Sequence, residues 1–153
     1  MNQESIERIL ASYEQIAPRV DDMVAGFYRR LFDARPEARA LFKKDMAVQR
    51  QHLAATLAIL VRNLPFLDVL DEPFMELGIQ HVLFGAHPGH YPVVRNSLLE
   101  SLGAALGDRW SPQLCQDWTE LLDHVVGVML KGATEYALRV ASSKAPARPQ
   151  AKP

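Results

Sequence analysis

The sequence contains one cysteine, Cys115, so it cannot form an internal disulfide. A single thiol is typical of proteins in a reducing cytoplasm. No stretch approaches the roughly 18 consecutive apolar residues that a membrane-spanning helix needs. Residues 1–5 lack the basic and apolar regions of a secretion signal. These absences predict a soluble, cytoplasmic protein.

An excess of one charge is also missing. The 17 Lys and Arg residues nearly balance the 18 Asp and Glu residues, for a net charge of −1. This balance argues against nucleic acid or an anionic membrane as partner. Internal repeats and the alternating apolar pattern of strands are absent as well. What is present is ordinary for one globular domain: 153 residues, 48% of them hydrophobic and 23% charged.

Apolar residues recur at helical spacing in segments that prolines separate. The pattern predicts an all-α fold of seven or eight helices of unequal length, which does not suit a simple four-helix bundle. The expected helical segments are approximately 6–16, 20–32, 36–42, 46–64, 92–106 and 112–140, together with a helix that begins near residue 73 and ends soon after His81. Residues 1–140 are expected to form the domain. Residues 141–153 are poor in large apolar side chains and rich in proline, which predicts a disordered tail.

Three polar residues lie on or beside predicted apolar faces. His81 follows Phe74, Leu77 and Gly78 at helical spacing, and a run rich in proline and glycine comes next. Taken alone, such a histidine is more often a core residue bonded to a backbone carbonyl than a metal ligand. Tyr28 lies at the edge of a stripe, where a packing role is usual. Gln49 needs either solvent or a polar ligand.

Three kinds of chemistry compete for these residues. A nucleophilic enzyme built on Cys115 has weak support, because no glycine-rich elbow or nearby base accompanies it. A zinc site of His81, His87 and His90 lacks a cysteine pair and the usual histidine spacing. The third reading is one axial histidine facing a wide apolar pocket with one or two polar residues opposite, which is how a haem is held.

Several motifs together resemble the globin family, in particular bacterial single-domain haemoglobins and the haem domain of flavohaemoglobins. The resemblance covers residues 3–137, and its order and spacing are more specific than any one motif. The motifs are Phe27-Tyr28-Arg29-Arg30-Leu31-Phe32, Pro36-Glu37-Ala38-Arg39-Ala40-Leu41-Phe42, His81 with His90-Tyr91-Pro92-Val93-Val94, and Leu106-Gly107-Asp108 followed by Trp118.

The resemblance implies the globin fold, haem b, and His81 as the proximal iron ligand. It also implies Phe42 as the phenylalanine against the haem, and Tyr28 with Gln49 as the distal pair that stabilises bound O₂. Tyr91 would orient the histidine. The expected haem contacts are Phe42, Gln49, His52, Leu53, Leu57, Leu77, His81, Ala86, Tyr91, Val94, Leu98, Val125 and Met129. His52 is expected at a haem propionate, with a sixth iron ligand as the competing role.

One position departs from the family pattern. Flavohaemoglobins carry a glutamate on the last helix that bonds into the proximal site, and the matching residue here is Ala133. Glu135 is rotated by about 200° around the helix and should face elsewhere. A weaker hydrogen-bond acceptor is expected to leave His81 less anionic, which favours reversible ligand binding over oxygen activation.

The resemblance therefore implies a globin that reversibly binds O₂, and also NO or CO. The alternative is a nitric oxide dioxygenase that works with a separate reductase. A further alternative is a gas sensor that acts through a partner protein. Residues 138–153 are too few for a reductase or an output domain, which favours the first reading.

Overall fold

The computed structural model describes residues 1–43 and 45–144. Within them the chain forms α-helices joined by short 3₁₀ segments, and no strand occurs there. The helices are α1 (Gln3–Ile16), α2 (Val20–Ala34), α3 (Met46–Arg62), α4 (Asp71–Leu83), α5 (Tyr91–Leu106) and α6 (Pro112–Ser143). The expected all-α architecture is confirmed.

Side-chain caps and prolines explain where the helices begin. The side chains of Asn2, Asp45 and Ser111 accept hydrogen bonds from the first-turn amides of α1, α3 and α6. The segment expected as a short helix over 36–42 is instead a 3₁₀ segment, Pro36–Leu41. The described chain thus has six α-helices rather than seven or eight, because its short proline-containing connections form tighter 3₁₀ turns.

Helices α4 and α6 cross with their backbones in contact. A Cβ atom on Gly78 would lie 2.0 Å from the carbonyl oxygen of Met129, and one on Gly132 would lie 2.3 Å from that of Met75. No side chain fits at either distance, so a glycine on each helix permits the crossing. Because His81 lies three residues after Gly78, this contact fixes its helix against α6.

Helix α6 is also joined to α1 by buried polar contacts. Trp118 is fully buried, and its indole N–H donates to the hydroxyl of Ser12 at 3.0 Å. Its neighbour Asp117 is 1% exposed and accepts two hydrogen bonds from the guanidinium of Arg8, at 2.6 and 3.1 Å. These contacts hold the N-terminal helix on the opposite half of α6 from the α4 crossing.

The long α6 helix runs to Ser143, three residues beyond the end expected at Val140. Residues 145–153 of the expected disordered tail lie outside the described residues. No single described helix is both long and apolar enough to cross a membrane. By length and composition alone, only the pair Met46–Arg62 and Leu64–Leu83 reaches that threshold, and it is bent by 116°.

Candidate functional site

His81 lies in the last turn of α4 and is half-buried. Its ring nitrogen Nδ1 is 2.8 Å from the carbonyl oxygen of Leu77, one turn earlier. A carbonyl can only accept a hydrogen bond, so Nδ1 carries the proton and Nε2 keeps its lone pair. A neutral imidazole fixed at one nitrogen in this way can present the other nitrogen to a metal ion, with its basicity raised by the carbonyl.

Tyr91 begins α5 and stacks beside His81, with ring centroids 6.4 Å apart and planes inclined by 25°. The residue is buried, and its hydroxyl has no hydrogen-bond partner among the described residues. Burial raises the pKa of this hydroxyl, so it keeps its proton at neutral pH. An unpaired buried hydroxyl costs about 1–3 kcal/mol. Such an atom beside a candidate ligand indicates a site that another group completes.

Tyr28 is buried in the middle of α2, with its ring edge-on to that of Phe42 at 5.5 Å. Burial raises the pKa of its hydroxyl, while the nearby side-chain amide of Gln49 and the charge of Arg50 act in the opposite direction. Gln49 is half-buried in α3 and faces this hydroxyl. The structure therefore brings together the tyrosine and the glutamine that the sequence singled out.

The turn after α4 lies against the 3₁₀ segment that precedes Phe42. Gly85 has a positive φ of 95°, and a Cβ atom there would lie 3.3 Å from Cδ2 of Leu41. His90, at the end of the same turn, lies within the electrostatic reach of Glu37. These contacts link the helices that carry Tyr28 and Gln49 to the helices that carry His81 and Tyr91.

The other expected haem contacts differ in burial. Several of the apolar ones pack against the core yet stay partly exposed, as side chains that line an open cleft do. The half-buried residues are Phe42, Gln49, Leu53, Leu77, His81, Ala86, Val94 and Val125. The buried ones are Leu57, Tyr91, Leu98 and Met129. His52 is exposed on α3.

The zinc reading finds no support in the structure. The rings of His87 and His90 are 3.6 Å apart in a 3₁₀ turn, where each caps the backbone of the other. His81 does not join them, since the described part of the chain has no group of three His, Cys, Asp or Glu residues able to hold a metal ion. Cys115 is half-buried in the first turns of α6.

On α6, Ala133 is buried and Glu135 is exposed. This agrees with the expectation that the glutamate faces away from the interior. Two features of the site were not identified from the sequence. A backbone carbonyl was expected as the partner of His81 only if His81 were a core residue; that it is the carbonyl of Leu77, and that it leaves Nε2 free, the i−4 spacing within a helix could have suggested. The other is Arg50, whose position directly after Gln49 was the available signal.

Comparison with known proteins identifies the family. The sequence model of the globin family matches residues 25–129, more than half of the chain. The chain belongs to the globin family. As a globin it is a haem-binding protein whose ligands are diatomic gases.

Some of the globin's relatives are much longer proteins. A flavohemoprotein of Chromobacterium violaceum is 31% identical over 117 residues, which cover 69% of this chain and 28% of that protein. A flavohemoprotein of Rhodopirellula baltica is 26% identical, over 75% of this chain and 29% of that protein. The chain thus spans under a third of these relatives. An anaerobic nitrite reductase of Oryza sativa subsp. indica is 24% identical over a region that covers 80% of this chain and 89% of that protein.

Solved structures agree with the fold. An engineered carbene transferase made from RmaNOD, a candidate nitric oxide dioxygenase of Rhodothermus marinus, superposes with a TM-score of 0.80 at 26% identity. The match covers 92% of the globin and 99% of that chain. A bacterial globin from Campylobacter jejuni superposes with a TM-score of 0.79 at 19% identity. The match covers 89% of this chain and 99% of that chain. At that lower identity the likeness concerns the fold alone.

Proposed function

We propose that this globin binds haem b, with His81 as the only strong protein ligand of the iron, and that it binds O₂ reversibly. The observation that carries the proposal is the hydrogen bond from His81 to the Leu77 carbonyl, because it leaves Nε2 free to ligate. The orphaned hydroxyl of Tyr91 and the partly exposed apolar side chains nearby fit a large group that completes the site.

Tyr28 and Gln49 would act on the bound gas. Ferrous haem supplies a coordination position at which O₂ gains partial negative charge. The Tyr28 hydroxyl and the Gln49 amide would donate hydrogen bonds to that charge, worth about 1–3 kcal/mol each. The raised pKa of Tyr28 keeps its hydroxyl protonated at neutral pH, so it remains a donor. The positive charge of Arg50 adds attraction for the same ligand.

The surroundings of His81 favour reversible binding of O₂ over its activation. His81 donates its Nδ1 hydrogen bond to a neutral carbonyl, which attracts the proton less strongly than a carboxylate would. Ala133 supplies no carboxylate, and the exposed Glu135 faces elsewhere. His81 would therefore add little electron density to the iron of a bound haem.

Absorption spectra of the purified protein test this proposal. We expect one haem per chain, identified as haem b by its pyridine complex. The ferrous protein should give a distinct spectrum with O₂ that reverts when O₂ is removed. A chain that takes up no haem, or one that oxidises as fast as O₂ is mixed in, would contradict the proposal.

Nitric oxide dioxygenase activity is the second candidate. It is supported by the likeness to RmaNOD at 26% identity and to flavohemoproteins at up to 31% identity. In this reaction NO, O₂ and one electron give nitrate, so turnover needs an electron donor. Any globin with bound O₂ can react once with NO. Only sustained NO consumption, with a reductase and NADH supplied, would place the dioxygenase above the carrier.

We also propose that the exposed His52 contacts a haem propionate at the mouth of the cleft. A cytoplasmic location remains a prediction, based on the single cysteine.

A further inference from the structure

A cleft of about 450 Å³ opens between α2 and α5, hereafter the α2–α5 cleft. Clefts of roughly 300–1,000 Å³ are the size that takes up small molecules. None of its lining residues is among the expected haem contacts, so it is separate from the candidate site. Its polar lining consists of Arg30, Arg35, Asn96, Ser97 and Glu100.

Hydrogen-bond donors dominate this polar lining. The guanidinium groups of Arg30 and Arg35 can only donate, and the Asn96 amide and the Ser97 hydroxyl can donate as well. Glu100 contributes a carboxylate, but its side chain is 69% exposed and lies 4.0 Å from Nε of Arg30. The lining therefore carries two positive charges and one negative charge. Such a set of groups favours an anion as the ligand.

The Arg30 guanidinium is fixed on one side by the protein. Its Nη1 donates to the carbonyl of Gly26 at 3.1 Å and to the hydroxyl of Ser101 at 3.3 Å. The Ser101 hydroxyl donates in turn to the carbonyl of Ser97 at 2.8 Å. A Cβ atom at residue 26 would lie 2.9 Å from Nη1, so the glycine leaves room for the guanidinium. Because these bonds engage Nη1, a ligand can meet Nη2 in a fixed orientation.

Arg35 and Ser97 offer further groups to a ligand. Arg35 is exposed at the end of α2, and no carboxylate of the described residues lies within 4.0 Å of its guanidinium. Ser97 is only 4% exposed, and within the described chain no hydrogen bond engages its hydroxyl. A hydroxyl on so buried a residue normally has a partner, which a ligand in the cleft would supply.

We propose that the α2–α5 cleft binds a small phosphate ester through Arg30, Arg35, Asn96 and Ser97. A phosphate group has three terminal oxygens and a charge of about −1.5 to −2 at neutral pH, and guanidinium groups bind it through paired hydrogen bonds. A carboxylate offers two oxygens and one charge, which satisfies fewer of these donors. Val93 lines the same cleft and gives the carbon part of the ester an apolar contact. Binding here would not require haem.

Nuclear magnetic resonance on the ¹⁵N-labelled protein, held diamagnetic as its ferrous CO complex, tests the site. The probes are inorganic phosphate and glycerol 3-phosphate, titrated at a constant ionic strength of roughly 0.15 M. We expect the amide signals of Arg35, Asn96 and Ser97 to follow one saturable curve, with a Kd on the order of 1 mM for phosphate. Glycerol 3-phosphate should bind at least as tightly, and acetate at least about tenfold more weakly.

Substitutions separate this site from a general attraction to positive charge. Arg35→Gln should weaken phosphate binding about tenfold, whereas Arg29→Gln, which removes the same charge from an exposed position on α2 outside the cleft, should stay within about twofold of wild type. Arg30→Lys keeps the charge but loses the planar fork, and we expect about a tenfold loss. Glu100→Gln removes a repulsive carboxylate and should tighten binding about threefold or more.

Equal weakening by Arg35→Gln and Arg29→Gln, or a wild-type protein without saturable shifts below about 20 mM phosphate, would overturn the site. So would acetate that binds as tightly as phosphate. Binding to vesicles that contain phosphatidic acid, without binding of either free probe, would replace the small ester by a membrane headgroup and overturn the proposal. Failure of the proposed haem function looks different, because the chain would then show no haem spectrum while the same titration could still be read.

Discussion

Haem retention should depend on His81 more than on any other single side chain. His81→Ala removes the free Nε2 and the hydrogen bond to Leu77 that orients the ring. We expect the variant to lose haem during purification, or to keep it only when imidazole is added. The measurement is the ratio of haem absorbance to protein absorbance after gel filtration.

His87→Ala is the matched control, because His87 is exposed and lies in the turn that follows the same helix. It should retain haem as wild type does. An unchanged spectrum and unchanged haem content in His81→Ala would transfer the ligand role to His87 or His90.

The distal pair should control how fast O₂ leaves. In the proposed role, Tyr28 and Gln49 would donate to a ligand that carries charge only after it binds, so their loss should affect dissociation more than entry. Losing a hydrogen bond worth about 1.4–2.7 kcal/mol would raise the O₂ dissociation rate about ten- to a hundredfold. Ligand-replacement stopped flow on Tyr28→Phe and Gln49→Leu measures this rate.

Carbon monoxide provides the control for the same variants. Bound CO carries less charge than O₂, so its dissociation rate should change far less. If O₂ and CO dissociation accelerated equally, the size of the pocket rather than hydrogen bonding would govern escape, and the role given to Tyr28 and Gln49 would be wrong.

The role of His52 can be decided from a spectrum. Its exposed position on α3 is consistent with a propionate contact at the mouth of the cleft. We expect the unliganded ferrous protein to be five-coordinate, and His52→Ala to leave that spectrum unchanged. A low-spin spectrum of the two-histidine type that disappears in His52→Ala would make His52 a sixth iron ligand instead.

At the scale of helices, the crossing of α4 and α6 is the contact most sensitive to substitution. A methyl group at Gly78 would overlap the backbone of Met129, so Gly78→Ala must push the helices apart. We expect it to lower the free energy of unfolding by at least about 2 kcal/mol. Urea unfolding followed by circular dichroism measures the change.

Gly127 offers a control on the same helix. A Cβ atom there meets nothing within 4 Å, so Gly127→Ala adds a methyl group in open space. Alanine also restricts the unfolded chain, and the variant should be about 0.5–1 kcal/mol more stable. If Gly78→Ala were equally stabilising, the close crossing of α4 and α6 would be refuted.

Sequence reasoning placed the helices well because their prolines, caps and apolar spacing act locally. It did not anticipate the crossing at Gly78 and Gly132. A glycine in a helix weakens a local pattern, and only the partner helix shows why it is needed. The 3₁₀ form of Pro36–Leu41 was missed for a related reason, since its apolar spacing also fits one turn of α-helix.

The residues of the candidate site were predicted from the sequence less completely than the helices. Tyr28, Gln49 and His81 stood out because a polar side chain on an apolar face needs a reason. That these side chains lie close to residues of other helices could be inferred only from the resemblance to globins. Neither the unpaired hydroxyl of Tyr91 nor the charge of Arg50 near Tyr28 can be read from spacing, because both depend on tertiary packing.

At the scale of the whole molecule, the pair of buried Asp117 and half-buried Arg8 links stability to pH. The Arg8 guanidinium holds the pKa of Asp117 below its ordinary value. A carboxylate with a lowered pKa in the folded state stabilises that state above its unfolded pKa of about 3.9, and the stabilisation is lost as the pH falls further. Asp117→Asn should therefore cost about 1.5–3 kcal/mol at pH 7, with the difference from wild type shrinking below about pH 4.

Urea unfolding of both proteins at equal haem loading, from pH 7 downward, checks this. Asp123→Asn serves as the control, because Asp123 pairs with Arg95 at the surface, with its side chain 50% exposed. It should change stability by less than about 1 kcal/mol. A cost for Asp117→Asn that stayed constant through pH 3 would refute the charge-based account.

The contact between Gly85 and Leu41 has a consequence for the order in which the protein folds. It joins parts of the chain separated by all of α3 and α4, so its formation must overcome the entropy of closing that long loop. Such non-local contacts form late, after neighbouring helices have found each other. The cleft is then one of the last regions to take shape, and a chain still emerging from the ribosome would capture haem only after α4 and the turn beyond it have been made.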